Sequence, residues 1–346
     1  MEVRAFSVPL TRPLSTAGGD LEQREGYLVT IEHAGVRGVG EATPLPGWTE
    51  RLDVCRVGLD IARTTAREED WGVALSESDM PAARHGVSLA LADAKATAVD
   101  EPLYRYLGGN REVRSVPVNA TVGDGHPDDT RAAVERTVAE GFDAVKVKVG
   151  SRPVEADLAR LRRARDAAGE SVELRADANG AWTPEEAADA IEGMADLGVS
   201  YVEQPLPPDD LAGHADLRGR GVGIALDESL RSHSLDAITE AGAADVVIVK
   251  PMVLGGPDIA RRIAGRAIDA GLSAVVTTTI DAVVARTAAV HVAASLPDPP
   301  ACGLATAGWL AEDLAPDPAP VSDGRITVPQ DPGNLGVDPG EFRTPV

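Results

Sequence analysis

Three lysines stand inside apolar, strand-like runs: Lys146 and Lys148 in AVKVKVG, and Lys250 at the end of DVVIVK. The 346-residue chain holds four lysines against 29 arginines, so lysine is kept where arginine does not substitute. Arginine stays protonated under ordinary conditions, whereas a lysine amine can be tuned to give up and regain a proton. Proton transfer is therefore the first chemistry these positions suggest. Between them lie three acidic residues, Asp177 in VELRADAN, Glu203 in YVEQP and Asp227 in GIALDES, spaced by 26 and 24 residues. Carboxylates gathered at buried strand ends repel one another and lose hydration, so a site holding three requires a cation. All-oxygen ligation favours a hard divalent ion, Mg2+, with Mn2+ as the alternative.

That spacing is about one strand plus one helix, which sets what must position these groups. From residue 116 onward, short apolar runs alternate with helical segments, and strands are expected at 116–122, 144–149, 172–179, 201–204, 223–228, 245–250, 274–279 and 302–306. The intervening helices are punctuated. Thr183-Pro184-Glu185-Glu186 offers an N-cap, a proline at the first helical position and a capping-box glutamate, and Gly198 supplies the stop. Eight such strands predict an α/β fold built as a (β/α) barrel, although a doubly wound open sheet shares the local pattern.

In a parallel barrel the carboxyl ends of the strands face the mouth, where catalytic groups gather. Asp177, Glu203 and Asp227 then point into one space. Lys146 and Lys148, at i and i+2, share the inward face while Val145, Val147 and Val149 pack outward. Strand two thus carries two amines, strands three to five the carboxylates, and strand six another amine. This layout suits removal of a proton beside a carboxylate: a divalent ion neutralises the enolate oxygens and a lysine takes the proton. An unperturbed amine titrates near about 10.4, too high for a base at neutral pH, but a neighbouring ammonium and a divalent ion both favour the neutral form. Ion pairing is the plainer reading of these lysines, yet arginine would serve it equally well.

Other positions could complete the site. Arg175, two residues before Asp177, shares its inward face and is expected to orient a ligand or a substrate carboxylate, or to pair with Glu203. Thr278 at the end of strand seven and Gly303 at the end of strand eight could line the remaining wall with hydroxyls and backbone N–H donors. Asn179 reads as the first half of an Asn-Gly turn. Lys95 reads as structural.

Residues 1–110 read as α+β, with strands at 3–10, 27–32 and 36–42, helices at 51–66 and 80–99, and a polar, glycine-containing loop at 11–25 that is expected to be mobile. The glycines of GVRGVG lack the GxGxxG spacing and no helix follows, so they read as a hairpin. The segment 315–346 is rich in Pro, Asp and Gly, but its strand-like core at 325–329 is expected to pack back on the first domain. Two domains result: a 1–110 cap joined by 315–346, and a 111–314 barrel.

Net charge is −22 with 55 acidic residues, which argues against nucleic acid or an anionic membrane as a partner and leaves a small-molecule carboxylate. No run of 18 uncharged apolar residues exists, and the N-terminus lacks the basic start and apolar core of a signal peptide, so a cytoplasmic protein is expected. Cys55 and Cys302 are isolated and the six histidines form no ligand pair, so none of them reads as a metal site. Acidic surface, scarce lysine and 3% aromatics together suggest a salt-rich, halophilic cytoplasm. A homo-oligomer is left open.

Taken in order, Lys146-Val-Lys148, Asp177-Ala-Asn179, Glu203-Gln-Pro205, Asp227-Glu-Ser229 and Lys250-Pro251, preceded by ALADAKATAVDEPLYRYLGG, resemble the enolase superfamily and its muconate-lactonizing subgroup over nearly the whole chain. Sites of that superfamily use a Lys or His base with Mg2+. The resemblance implies a (β/α)7β TIM-like barrel with an α+β N-terminal capping domain. It implies Asp177, Glu203 and Asp227 as Mg2+ ligands, Lys148 as base, Lys146 as its partner at the substrate carboxylate, Lys250 on the opposite face, and the 11–25 loop closing over the substrate.

The Gly303-Leu304-Ala305-Thr306 segment is similar to that of o-succinylbenzoate synthases, which dehydrate 2-succinyl-6-hydroxy-2,4-cyclohexadiene-1-carboxylate in menaquinone biosynthesis. Dipeptide epimerases carry an Asp-x-Asp motif on strand eight, which Ala305 and Thr306 leave absent, and strand seven departs from the family's Ser-rich, Glu-containing pattern with Thr-Thr-Thr-Ile-Asp281. N-acylamino acid racemisation, dipeptide epimerisation and muconate cycloisomerisation use the same lysines. A catalytically silent binding or scaffold barrel is the non-enzymatic alternative.

Overall fold

The computed structural model describes residues 1–16 and 19–336, and every count below is of those residues. Strands β1 (Glu2–Thr16), β2 (Gly19–His33) and β3 (Val36–Ala42) form an antiparallel sheet in that order. Helices α1 (Leu52–Glu68), α2 (Trp71–Ser76), α3 (Pro81–Ala98) and α4 (Leu103–Tyr106) follow. The hairpin expected within GVRGVG turns at Ala34 and Gly35, with φ of 52° and 80°. Its other glycines let a helix approach. A Cβ at Gly38 would fall 2.2 Å from the Ala90 carbonyl oxygen of α3, and one at Gly40 would fall 2.0 Å from that of Gly86.

The segment 11–25, expected as a mobile loop, is instead the outer half of the β1–β2 hairpin, paired from Leu14↔Leu21 to Thr16↔Gly19 beyond a register shift at Pro9/Leu14. Its polar sequence misleads because this arm is fixed by main-chain hydrogen bonds rather than by an apolar face. Residues 17–18 at its tip lie outside the described residues. The arm leans on the chain beyond the expected strand eight: Leu10 bridges Leu310, Thr11 Oγ1 donates to the Gly308 carbonyl at 3.0 Å, and Arg12 stacks on Trp309.

After β4 (Ser115–Pro117) comes the parallel sheet: β5 (Ala120–Val122), α5 (Pro127–Ala139), β6 (Ala144–Lys148), α6 (Val154–Ala168), β7 (Glu173–Asp177), α7 (Pro184–Asp196), β8 (Val199–Glu203), α8 (Leu211–Leu217) and β9 (Gly223–Leu226). Then follow α9 (Glu228–Ser232), α10 (Leu235–Glu240), β10 (Val246–Val249), α11 (Pro251–Leu254), α12 (Pro257–Asp269), β11 (Ser273–Val276) and α13 (Val283–Ala294). These strands line up in chain order from β5 to β11. Closure comes from two isolated bridges, Val118↔Cys302 and Thr277↔Gly303, so the expected strand eight is reduced to a seam. The fold is a TIM-like barrel with an N-terminal capping domain.

Alternation explains the barrel's two layers. Val145, Val147, Leu174, Ala176, Val202, Ile224, Leu226, Val247 and Val249 pack outward with the helices. Tyr201, Ala225, Val246, Ile248 and Val275 form a separate cluster filling the barrel interior. The expected strand at 116–122 divides: β4 leaves the barrel to pair with β13 (Arg325–Thr327), itself paired with β12 (Val321–Ser322). Farther on, Leu103 N–H donates to the Gly333 carbonyl at 2.8 Å and Asn334 N–H to Asp93 at 2.6 Å. Residues 337–346 of the returning segment lie outside the described residues. Among the described residues, no helix is long and apolar enough to cross a membrane.

Candidate active site

Register assembles the polar cluster. Lys146 pairs with Arg175, Lys148 with Asp177, and Asp177 with Glu203, so Lys148, Asp177 and Glu203 stand side by side at the carboxyl edge of β6, β7 and β8. Asp227 follows β9 and Lys250 follows β10, which brings both to the same rim. Lys146 Nζ lies 3.0 Å from Asp177 Oδ2 and 2.7 Å from Glu203 Oε2. Lys148 Nζ donates to Asp177 Oδ2 at 2.7 Å and to Asn179 Oδ1 at 2.8 Å. Lys250 Nζ donates to Asp227 Oδ2 at 2.5 Å. The six groups that spacing singled out are therefore in one place, and the ion pairs of the plainer reading are present too.

Their electrostatics are those of charges with little water. Burial alone lowers an amine's pKa, but the Asp177 and Glu203 carboxylates outweigh it and hold Lys146 well above the ordinary lysine value. Burial likewise works to raise Asp177, yet the Lys146 and Lys148 ammoniums hold it well below the usual carboxylate range. Glu203 goes the other way, raised by burial and then by the charge of Asp177. Asp227 is raised by burial, against the pull of Lys250 and with help from Glu228.

Glu228 was passed over in the sequence. Its Oε1 accepts from Asn179 Nδ2 at 3.2 Å, while its Oε2 is buried with no hydrogen-bond partner. Four carboxylates here face three amines, leaving one negative charge and one buried oxygen without compensation. Such a donor set, all oxygen and anion-rich, fits a hard divalent cation. As they stand, the carboxylates are turned onto the lysines, and among the described residues no three acidic, His or Cys side chains enclose an ion. Ligation requires side-chain rotation off the amines.

Two backbone features frame these side chains. Asn179 and Gly180 both have positive φ, 46° and 74°, so the expected Asn-Gly turn forms and its side chain still reaches Lys148 and Glu228. Gln204, directly after Glu203, has φ of 43° and is fully buried. Its side-chain oxygen accepts from the N–H groups of Asp227 and Ser229, both at 3.1 Å, tying the ends of β8 and β9 together. A non-glycine residue held in this region costs about 1–3 kcal/mol, met here by the surrounding hydrogen bonds.

Arg175 is not where a substrate carboxylate could meet it. Its guanidinium donates to Glu173 at 2.9 and 2.8 Å, to the Ala301 carbonyl at 2.6 Å and to Asn119 at 3.3 Å, and it stacks on Tyr201. It is fully buried and points down the barrel, away from Glu203, because Glu173 at the strand's start offers the bidentate partner. Thr278 Oγ1 lies 3.1 Å from Thr306 Oγ1 and accepts from Ile280 N–H at 3.3 Å, so it stands on the strand-seven wall. Gly303 accepts at its carbonyl from Thr277 Oγ1 at 2.9 Å, and a Cβ there would meet that hydroxyl. Its N–H donates to the Val276 carbonyl at 2.9 Å and so is spent inside the barrel. Lys95 lies on α3, and Cys55 and Cys302 are buried, unpaired thiols.

The cap also reaches the rim. The indole of Trp48 covers the Lys250 ammonium, 3.5 Å from ring centroid to Nζ. No local pattern announced this, since Trp48 and Lys250 are brought together only by docking of the two domains.

The family described as enolase C-terminal domain-like matches residues 129–342, and the MenC N-terminal domain matches residues 1–94. The L-Ala-D/L-Glu epimerase of Bacillus subtilis is 32% identical over 312 residues, covering 85% of this chain and 84% of the epimerase. Its substrate-liganded structure superimposes with a TM-score of 0.88 at 30% identity, over 96% of this chain and 97% of that one. The o-succinylbenzoate synthase of Thermobifida fusca is 40% identical over 219 residues, 61% of this chain and 66% of the synthase. A dipeptide epimerase of Enterococcus faecalis complexed with Mg and a dipeptide gives a TM-score of 0.85 at 28% identity, covering 97% and 98% of the two chains. With both domains matched and the lysine and carboxylate order of the barrel intact, the chain belongs to the enolase superfamily.

Proposed function

We propose that this chain removes the proton beside a substrate carboxylate with Lys148, and that its reaction is the syn dehydration of 2-succinyl-6-hydroxy-2,4-cyclohexadiene-1-carboxylate to o-succinylbenzoate. One observation carries the assignment of the base. The Lys148 side chain is 36% exposed, whereas those of Lys146 and Lys250 are 15% and 13% exposed and sunk against carboxylates. Lys148 is thus the amine that reaches the open mouth.

Asp177, Glu203 and Asp227 would hold Mg2+, or Mn2+ in its place. When bound, the ion supplies positive charge to the substrate's carboxylate oxygens. Lys148 takes the C–H proton and the electron pair moves into the carboxylate as an enolate. The pair then returns to form the ring double bond as the hydroxyl leaves, protonated by the ammonium of Lys148 on the same face. Water departs and the ring becomes aromatic. Lys146 holds the substrate carboxylate, and Lys250, paired with Asp227 and covered by Trp48, faces the enolate as a fixed charge.

Support for this substrate comes from the cap, matched by the MenC N-terminal domain, and from residues 303–306, which carry no carboxylate to hold a substrate ammonium. A second reading, N-acylamino acid racemisation or dipeptide epimerisation, is favoured by β6 and β10 lying four strands apart in the sheet, which sets amines on opposite walls. The test is incubation with the cyclohexadiene precursor and Mg2+. Aromatic absorbance should rise, vanish with EDTA, return with Mg2+, and be lost in Lys148→Ala. Turnover that survives Lys148→Ala would sink the mechanism. Deuterium uptake at the α-carbon of N-succinylamino acids or dipeptides in D2O, without aromatisation of the precursor, would establish the second reading.

A further inference from the structure

Thr278 belongs to the strand-seven wall of the mouth, and the chain just beyond it is bent sharply. Ile280, a β-branched residue, has φ of 60°, a conformation such side chains rarely adopt. Thr278 Oγ1 accepts its N–H, and the rest of what holds it comes from the other domain. Arg24 of β2, buried, donates from Nε to the Ile280 carbonyl at 3.1 Å, and from its two terminal nitrogens to the Pro44 and Thr43 carbonyls at 3.2 and 3.0 Å. Glu41 of β3, with no exposed surface, accepts at Oε1 from Ala282 N–H and at Oε2 from Ala285 N–H, both at 2.9 Å. Thr43 donates to the same carboxylate. Helix α13 has no side-chain cap of its own at Ala282, so a cap-domain carboxylate satisfies its first turn.

We propose that Glu41 and Arg24 are positioning residues: seated in the cap, they hold the left-handed turn at Ile280 and thereby place the Thr278–Thr306 hydroxyl pair in the mouth. The barrel by itself supplies Thr278 Oγ1, which accepts from Ile280 N–H at 3.3 Å, Asp281, which accepts from Thr279 N–H at 3.3 Å and from its hydroxyl at 2.5 Å, and Asp313, which accepts from Val283 N–H at 2.8 Å. None of the three touches the Ile280 carbonyl or the Ala282 and Ala285 N–H groups among the described hydrogen bonds. Removing the cap's two side chains therefore leaves the Ile280 carbonyl and the Ala282 and Ala285 N–H groups unheld beside a strained turn.

A second joint between the domains provides the control. Arg84 of α3 donates to Asp258 of α12 at 3.1 and 3.0 Å and to the Gly255 carbonyl at 2.6 Å, and among the described hydrogen bonds touches none of the groups of residues 278–286. Amide hydrogen exchange of the full chain, followed by mass spectrometry, needs no substrate and so tests the proposal whatever reaction the site performs. In Glu41→Ala and in Arg24→Met, peptides spanning 278–286 should exchange tenfold faster or more, while α12 peptides stay protected. Arg84→Met should do the reverse. Glu41→Gln, which keeps one acceptor, should recover part of the protection. Once a substrate is in hand, Glu41→Ala should lower kcat/KM at least tenfold, well beyond an Arg84→Met variant of matched stability. Unchanged exchange at 278–286, or equal loss of protection there in Arg84→Met, would overturn the proposal, as would Glu41→Gln behaving like Glu41→Ala.

Discussion

Lys148 and Arg175 both belong to the Asp177 neighbourhood, yet one faces the mouth and the other is spent inside the barrel. Alternation along a strand fixes the face a side chain takes, and that much was legible: Lys146, Lys148, Arg175 and Asp177 all point inward. It does not fix height along the barrel axis, so Arg175 could be read as a substrate contact when Glu173, 35% exposed at the strand's start, was the partner within reach. Arg175→Met should therefore act on stability. It leaves Glu173, the Ala301 carbonyl and Asn119 without their donor and is expected to cost about 3 kcal/mol, seen as a lower urea midpoint at unchanged slope. KM should be unaffected; a KM increase at unchanged stability would restore Arg175 to the substrate. Glu41 and Glu228 were missed although the signal that exposed Lys146, a charge beside an apolar strand run, was present at both.

At the scale of elements, the barrel strands were legible because their buried runs set aliphatic residues against the helices and most are ended by a charged or polar group. The arm of β1 and β2 was not, since its main-chain ladder carries no apolar stripe for a reader to find. The β3–α13 contact has a consequence that can be measured. Burial, and then the charge of Asp281, push Glu41 up to about 7, while the Thr43 hydroxyl and Ala285 N–H pull the other way. Arg24, Asp281, Asp313 and His85 are the charged or titratable groups that face it. A glutamate in the unfolded chain titrates near about 4.3, so the folded state holds this proton more tightly. Its contribution to stability is then complete below about pH 4 and is lost as pH rises through about 7. Glu41→Gln cannot ionise, and between about pH 5 and 8 the wild type should lose stability relative to it in urea titrations. A gap that stays constant over that interval would refute this account of Glu41.

For the whole molecule, a net charge of −22 means that carboxylates repel one another across the surface in dilute buffer. Screening acts within about 10 Å at ordinary ionic strength and closer at molar salt. Moving from dilute buffer to molar KCl should therefore raise the thermal midpoint by several degrees; a flat response would show that the charges are already balanced locally. Contacts between domains were the least legible part of the chain. Trp48 on Lys250, Glu41 on Ala282 and Arg84 on Asp258 each join residues at least 170 positions apart, and no window of sequence contains both partners.

The barrel's closure carries a consequence of its own. Neighbouring strands from β5 to β11 are bound by ladders, whereas the last wall is joined to its neighbours by single bridges at Cys302 and Gly303. Beyond them Ala305 and Thr306 are half-buried and belong to no ladder, Thr306 meeting the strand-seven wall through Thr278, whereas Leu304 is fully buried in the barrel core. Substitutions at Ala305 and Thr306 can alter what the mouth accepts at less cost to folding than one at buried Leu304, which makes this seam the stretch where descendants of one such barrel can part company in the molecules they transform.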